Sequence, residues 1–179
     1  ISASVPLADV PSNLTSDSIK SADINIKSFA LKESGTKTSL DISASSISKA
    51  KPTLIGSLEI TATIPAATLT KSSEFNDAQI VGNTLQVSAG AGGMGTAILI
   101  PKHSNSQLYF ELQSVSIFGN QIPASSLPAD LQNQIKSRSQ RSLTPPEGLK
   151  VKSVSLSSKG LAVRMSGNNI QLGKLGSGL

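Results

Sequence analysis

Ser126-Leu-Pro-Ala-Asp-Leu-Gln-Asn-Gln-Ile-Lys-Ser-Arg-Ser-Gln-Arg-Ser-Leu143 is the one long helical pattern in a chain that otherwise alternates as strands do. Ser126 is placed to cap a first turn with its hydroxyl, and Pro128 sits where a missing N–H costs nothing. Asp130 falls in the first turn and Lys136, Arg138 and Arg141 fall towards the end, the charge order a helix dipole favours. Leu127, Leu131 and Ile135 recur at every fourth position and form a narrow apolar stripe. Pro145-Pro146 stops the pattern. A helix over Ser126–Leu143 would be roughly 25 Å long. A stripe so thin needs a sheet to lie on, and the pattern is open between an ordinary packing helix and a lid over an apolar groove.

The strands around it are read from period-two alternation. Ile19–Leu31 places Ala22, Ile24 and Ile26 on one face, and the phase slips near Ser28, which predicts a bulge. Gly35 turns the chain, and Leu40, Ile42 and Ala44 return as a hairpin partner. Leu54–Thr63 is a third strand. Pro65 then opens a short helix, Ala66–Ser73, which carries Leu69 towards the core and is closed by Phe75. Ala78–Val81, Thr84–Ala89, Thr96–Ile100 and Gln107–Phe118 read as a meander, with Gly82-Asn83, Gly90–Gly95 and His103–Ser106 as turns. Leu149–Leu156, Leu161–Met165 and a short strand at Ile170 and Leu172 follow the long helix. Residues 1–172 are expected to form one domain, with 173–179 a flexible Gly- and Ser-rich tail. The inward set is expected to be Ile24, Ile26, Leu58, Ile60, Ile98, Ile100, Phe110 and Leu112.

Composition narrows the function. Only four Phe and one Tyr supply aromatic area, and there is no Cys, so disulfides, thiol catalysis and thiolate metal sites are excluded. The net charge of +5 is spread over few charged residues, without a dense basic block or a stacking platform. Nucleic acid is therefore not the expected partner; an anionic lipid surface or headgroup fits a mild, spread positive charge better, and an excess that merely aids solubility is the simpler reading. No apolar run reaches the ~18 residues of a membrane-crossing helix. The chain begins at Ile1, and a targeting or anchoring segment ahead of it is expected. Asn13-Leu14-Thr15 has the form of a glycosylation sequon. Gly90-Ala-Gly-Gly93 lacks the Gly-Lys-Ser/Thr ending of a phosphate loop. His103 is the sole histidine and stands in a polar turn, and the eleven carboxylates are scattered, Glu74 and Asp77 being the nearest mid-chain pair. No metal, cofactor or catalytic residue is expected from these patterns.

What remains is binding. Leu69, Phe110, Leu127, Leu131 and Ile135 are candidates to line an apolar cavity, and Lys136, Arg138 and Arg141 to meet an anionic headgroup, with Lys150 and Lys152 nearby in sequence. Two runs carry a resemblance. Leu127-Pro-Ala-Asp-Leu-x-x-x-Ile135 and Pro146-x-Gly-Leu-x-Val-x-Ser-Val-x-Leu-x-x-x-Gly-Leu-x-Val163 together resemble the C-terminal signature of the actinobacterial LmeA-like phospholipid-binding proteins. Ile64-Pro-Ala-Ala-Thr-Leu69 and the paired strands of Ile19–Ile47 are similar to that family as well. The resemblance implies an α+β, TULIP-like fold, a curved antiparallel sheet or roll wrapped around one long helix plus a short one. It also implies non-enzymatic binding of phospholipid, phosphatidylinositol-type in the mycobacterial case. The implied setting is the extracytoplasmic face of the cell envelope, beside lipoglycan assembly and its biosynthetic enzymes. The competing reading is a β-rich structural or adhesive envelope module with no small ligand.

Overall fold

The computed structural model describes residues 2–4, 17–30, 37–72, 77–89, 94–104 and 106–175. The sequon at Asn13, the Gly35 turn, Phe75, and Gly90–Gly93 lie outside them. The described chain is mostly antiparallel strand, carried by two six-stranded sheets. It divides into two compact units, one of Ile1–Ile64, Pro145–Ser153 and Val163–Leu179, the other of Pro65–Thr144 and Val154–Ala162.

In the first sheet the strand order is β1 (Ser2–Ser4), β2 (Ser18–Ala30), β3 (Lys37–Ser48), β4 (Leu54–Pro65), β12 (Gly160–Gln171), β11 (Lys150–Ser157). The register of β2, β3 and β4 stacks like residues in rows across the strands. Ile24 faces Ile42 and Ile42 faces Ile60; Ile26 faces Leu40 and Leu40 faces Ala62; Ala22 faces Ala44 and Ala44 faces Leu58. Because side chains alternate, the other face collects Asp23, Ser43 and Glu59, then Asn25, Asp41 and Thr61. That face is stitched by polar contacts. The Ser43 hydroxyl donates to Asp23 at 2.6 Å, the Asn25 amide donates to Asp41, and Arg164 of β12 meets Glu59 at 2.6 Å. The phase slip read near Ser28 is present as a register shift between Ile26 and Phe29.

The second sheet runs β10 (Arg141–Ser142), β8 (Gln107–Ile117), β7 (Gly95–Ser104), β6 (Thr84–Ala89), β5 (Gln79–Val81), and β9 (Asn120–Pro123) also pairs with β8. Its core face is closed: Leu85 faces Leu99, Leu99 faces Leu112, and Val87, Ala97 and Val115 form the adjoining row. Leu85 and Leu99 are 0% exposed. Here the inward set needs a correction. On β7 the buried residues are Ala97 and Leu99, while Ile98 and Ile100 are half-buried on the opposite face with Gln86, Ser114 and Glu111. Both parities of β7 are apolar, so alternation there does not choose a face. The partner strands choose it, because Leu85 and Leu112 leave a closed core only for the odd positions.

Among the described residues three α-helices interrupt the strands: α1 (Ala66–Ser72), α2 (Ala129–Ser139) and α3 (Leu172–Leu175). The expected short helix at Ala66 is α1, and Leu69 is buried. The expected long helix is shorter. A separate 3-10 turn, Ala124–Ser126, takes Ser126, and Pro128 stands at the N-cap of α2, where no side chain caps the first turn. At 1.5 Å per residue α2 is about 16 Å long. Arg141 is beyond it, in β10. The strands expected at Leu161–Met165 and at Ile170 are one continuous β12, Leu172 begins α3 instead of continuing the last strand, and His103 and Ser104 extend β7 instead of turning.

Candidate functional site

The expected site residues all fall in the second unit. α2 packs against β8, with β9 on one side and β10 on the other. β9 pairs with Ser114–Ile117 and β10 pairs with Gln107 and Leu108, which leaves the backbone of Phe110 between them. Ser139, in the last turn of α2, fills that gap. Its buried hydroxyl accepts the Phe110 N–H at 2.9 Å and donates within its own turn to the Ile135 carbonyl at 2.8 Å. A strand edge with open backbone groups invites pairing with other chains, and here a helix end satisfies it. Gln132 fastens the other end by donating to the Ala124 carbonyl at 2.8 Å. Sequence reading did not find Ser139, since serine in a last helical turn gives no signal until the strand beside it is known.

The apolar stripe is divided by this arrangement. Leu127 lies ahead of α2, its N–H bonded to the Ala124 carbonyl at 2.9 Å. Leu127 and Ile135 are half-buried, and Leu131 is 38% exposed. Phe110 is buried on the core face of β8. Leu69 is on α1, which lies against β5, the strand at the opposite edge of the sheet from β10. The helix stripe, Phe110 and Leu69 are thus distributed over both edges of the sheet and its core face.

The cations are at the C-terminal end of α2. Lys136, Arg138 and Arg141 are all exposed. Alternation puts Tyr109 on the opposite face from Phe110, and the Lys136 ammonium stands 4.5 Å from the Tyr109 ring centroid, a cation–π geometry. Arg141 turns its guanidinium back onto the Gln140 carbonyl at 2.9 Å and the Arg138 carbonyl at 3.1 Å, which satisfies carbonyls the helix end leaves open. Lys102 and Glu111 pair at 3.7 Å on the Tyr109 face, next to His103, which is exposed and stands opposite Leu108 in the ladder. Among the described residues no group of three or more His, Asp or Glu is gathered closely enough to hold a metal ion.

The first unit contains a second candidate, whose residues alternation alone assigns to the core. Burial falls from β4 outward in two of the three apolar rows, Leu58–Ala44–Ala22 and Ile60–Ile42–Ile24; in the third, Leu40 of β3 is buried between half-buried Ala62 and Ile26. Leu58 and Ile60 are buried, whereas Ile42 and Ala44 on β3, and Ala22, Ile24 and Ile26 on β2, are half-buried. The result is an aliphatic surface with no charged side chain in its rows, continuous with a closed core at β4. The signal was present in the sequence: three successive strands share the same clean alternation. Among the described residues no helix is long and apolar enough to cross a membrane. Compared with family models, with curated proteins and with solved structures, the chain has no match.

Proposed function

We propose that the protein is a non-enzymatic phospholipid-binding protein of the LmeA-like, TULIP-like kind, acting at the extracytoplasmic face of a bacterial cell envelope in support of lipid or lipoglycan assembly. The observation that carries the reading is the half-covered aliphatic face of the first sheet. Rows of Ile, Leu and Ala with no charge among them run from buried Leu58, Ile60 and Leu40 to half-buried Ala22, Ile24 and Ile26. A flat, flexible acyl chain suits such a surface better than a polar ligand does. Each CH₂ it buries contributes about 0.8 kcal/mol, so even a partly enclosed chain gains several kcal/mol. The exposed Lys136 and Arg138 of the second unit give an anionic membrane surface a salt-sensitive partner. Biosynthetic enzymes of the envelope are the partners this role calls for.

The test is direct. Organic extraction of the purified protein and native mass spectrometry should find copurified phospholipid. Ile42→Asn should stay folded and lose most fluorescent phospholipid binding, because it puts an amide in the middle of an aliphatic row. Ile135→Trp asks whether the stripe of α2 contributes: loss of binding there, with Ile42→Asn unaffected, would move the site to the helix. Absence of copurified lipid together with no fluorescent lipid binding would favour the structural or adhesive module.

A further inference from the structure

One end of the second sheet carries an apolar tip. Phe118 is 80% exposed, Met94 59% and Ile117 39%. The register brings them together: Gly95 is paired with Ile117, so Met94 enters β7 beside the hairpin that joins β8 to β9. That hairpin has a two-residue loop, Phe118-Gly119, closed by the Ile117–Asn120 pair. Both loop residues have positive φ, 49° and 83°. This is the sense of a type I′ turn, whose first position suits Asn or Asp and is costly for a bulky side chain. A phenylalanine there is unfavourable twice, in its backbone and in its exposure to water.

The surroundings are neutral. No Asp, Glu, Lys, Arg or His occurs in 78–101 or in 112–129, the two segments that contain the tip and the ends of β7 and β8 that adjoin it. A carboxylate does reach that end of the sheet: Asp77 accepts the Ser88 hydroxyl at 3.3 Å. Ser88 is on β6, two strands from β8 and so about 10 Å away.

We propose that this tip docks the protein onto a lipid bilayer by inserting Phe118, with Met94 and Ile117 at its base, into the interfacial region. Two features select a bilayer over a protein partner. Three side chains at this end of the sheet present far less than the ~800 Å² per partner that a stable dimer buries. The absence of charge along both segments means that insertion desolvates no ion, whereas a protein-binding hairpin is ordinarily rimmed by charged groups that set its register. The role goes beyond the proposed lipid binding on the first sheet and does not depend on it, since vesicle association and lipid copurification are read separately.

The chain has no Trp, so Phe118→Trp supplies a single reporter. Mixed with phosphatidylcholine vesicles, this variant should shift its emission to the blue and be quenched by brominated acyl chains. Phe118→Asn suits the turn and should melt at or above the wild-type temperature. It should nevertheless lower the vesicle partition coefficient at least about tenfold. Vesicle binding should persist in 1 M salt. Equal partitioning of Phe118→Asn and wild type would overturn the proposal. So would loss of all binding at high salt, or an emission spectrum of the Phe118→Trp variant that vesicles leave unchanged. A wild-type dimer in sedimentation that Phe118→Asn turns into a monomer would assign the tip to self-association instead.

Discussion

The two sheets use one palette of Ile, Leu, Val, Ser and Thr to opposite ends. In the first, each strand alternates cleanly through its central rows, like residues align across β2, β3 and β4, and the apolar side chains of β2 are half-buried while Leu58, Ile60 and Leu40 are buried. The opposite face of those rows is polar. In the second, β7 is apolar at both parities, the register shifts between Ile98 and Leu99, and one face is packed until Leu85 and Leu99 are wholly enclosed. A clean alternation makes a surface with one dry side available. A double-sided strand makes a filled core and puts its surplus apolar side chains, Ile98 and Ile100, on the far face. The difference separates a sheet with a half-covered apolar face from one whose core face is closed.

Core truncation tests that contrast most strongly. Leu99→Ala should cost about 4 kcal/mol in chemical denaturation, because an enclosed site cannot collapse onto the lost methyls. Ser139→Ala should come next, at about 2 kcal/mol, since the Phe110 N–H is left buried without its acceptor. Opening that edge should also make the variant more prone to aggregate on standing. Ile42→Ala on the half-covered row should cost about 1 kcal/mol, and a loss as large as that of Leu99→Ala would mean that the first sheet is as closed as the second.

The smallest effect is expected on the polar face. The hydrogen bond from Arg164 to Glu59, followed by that carboxylate's charge, holds the guanidinium above its ordinary range, while burial opposes only weakly. A raised pKa contributes stability that is present below the unfolded value and lost only as pH rises through the folded one. Both lie far above neutrality, so Arg164→Gln should leave the melting temperature and its pH profile through the neutral range unchanged. A pH-dependent destabilisation in that variant would give the exposed pair a structural role that the geometry does not support.

The sequence by itself determined the antiparallel strand class, most strand positions, the slip at Ser28, the short helix after Pro65 and the burial of Leu58, Ile60, Phe110 and Leu112. These depend on local facts: alternation, a proline at the first turn, a break in parity. The cations at the end of α2 were legible for the same reason, as charge order on a helix. Only the tertiary structure decided which parity of β7 faces the core, because Ile98 and Leu99 have nearly equal hydrophobicity and the choice belongs to Leu85 and Leu112 across the ladder. It shortened the long helix as well. Ser126 was taken by a 3-10 turn, and Ser139 found its partner in a strand twenty-nine residues earlier. It separated Leu69 from the α2 stripe, since sheet order put their supporting strands at opposite edges. The half-covered rows and the Phe118 tip follow from register and exposure, which depend on neighbours that are distant in sequence.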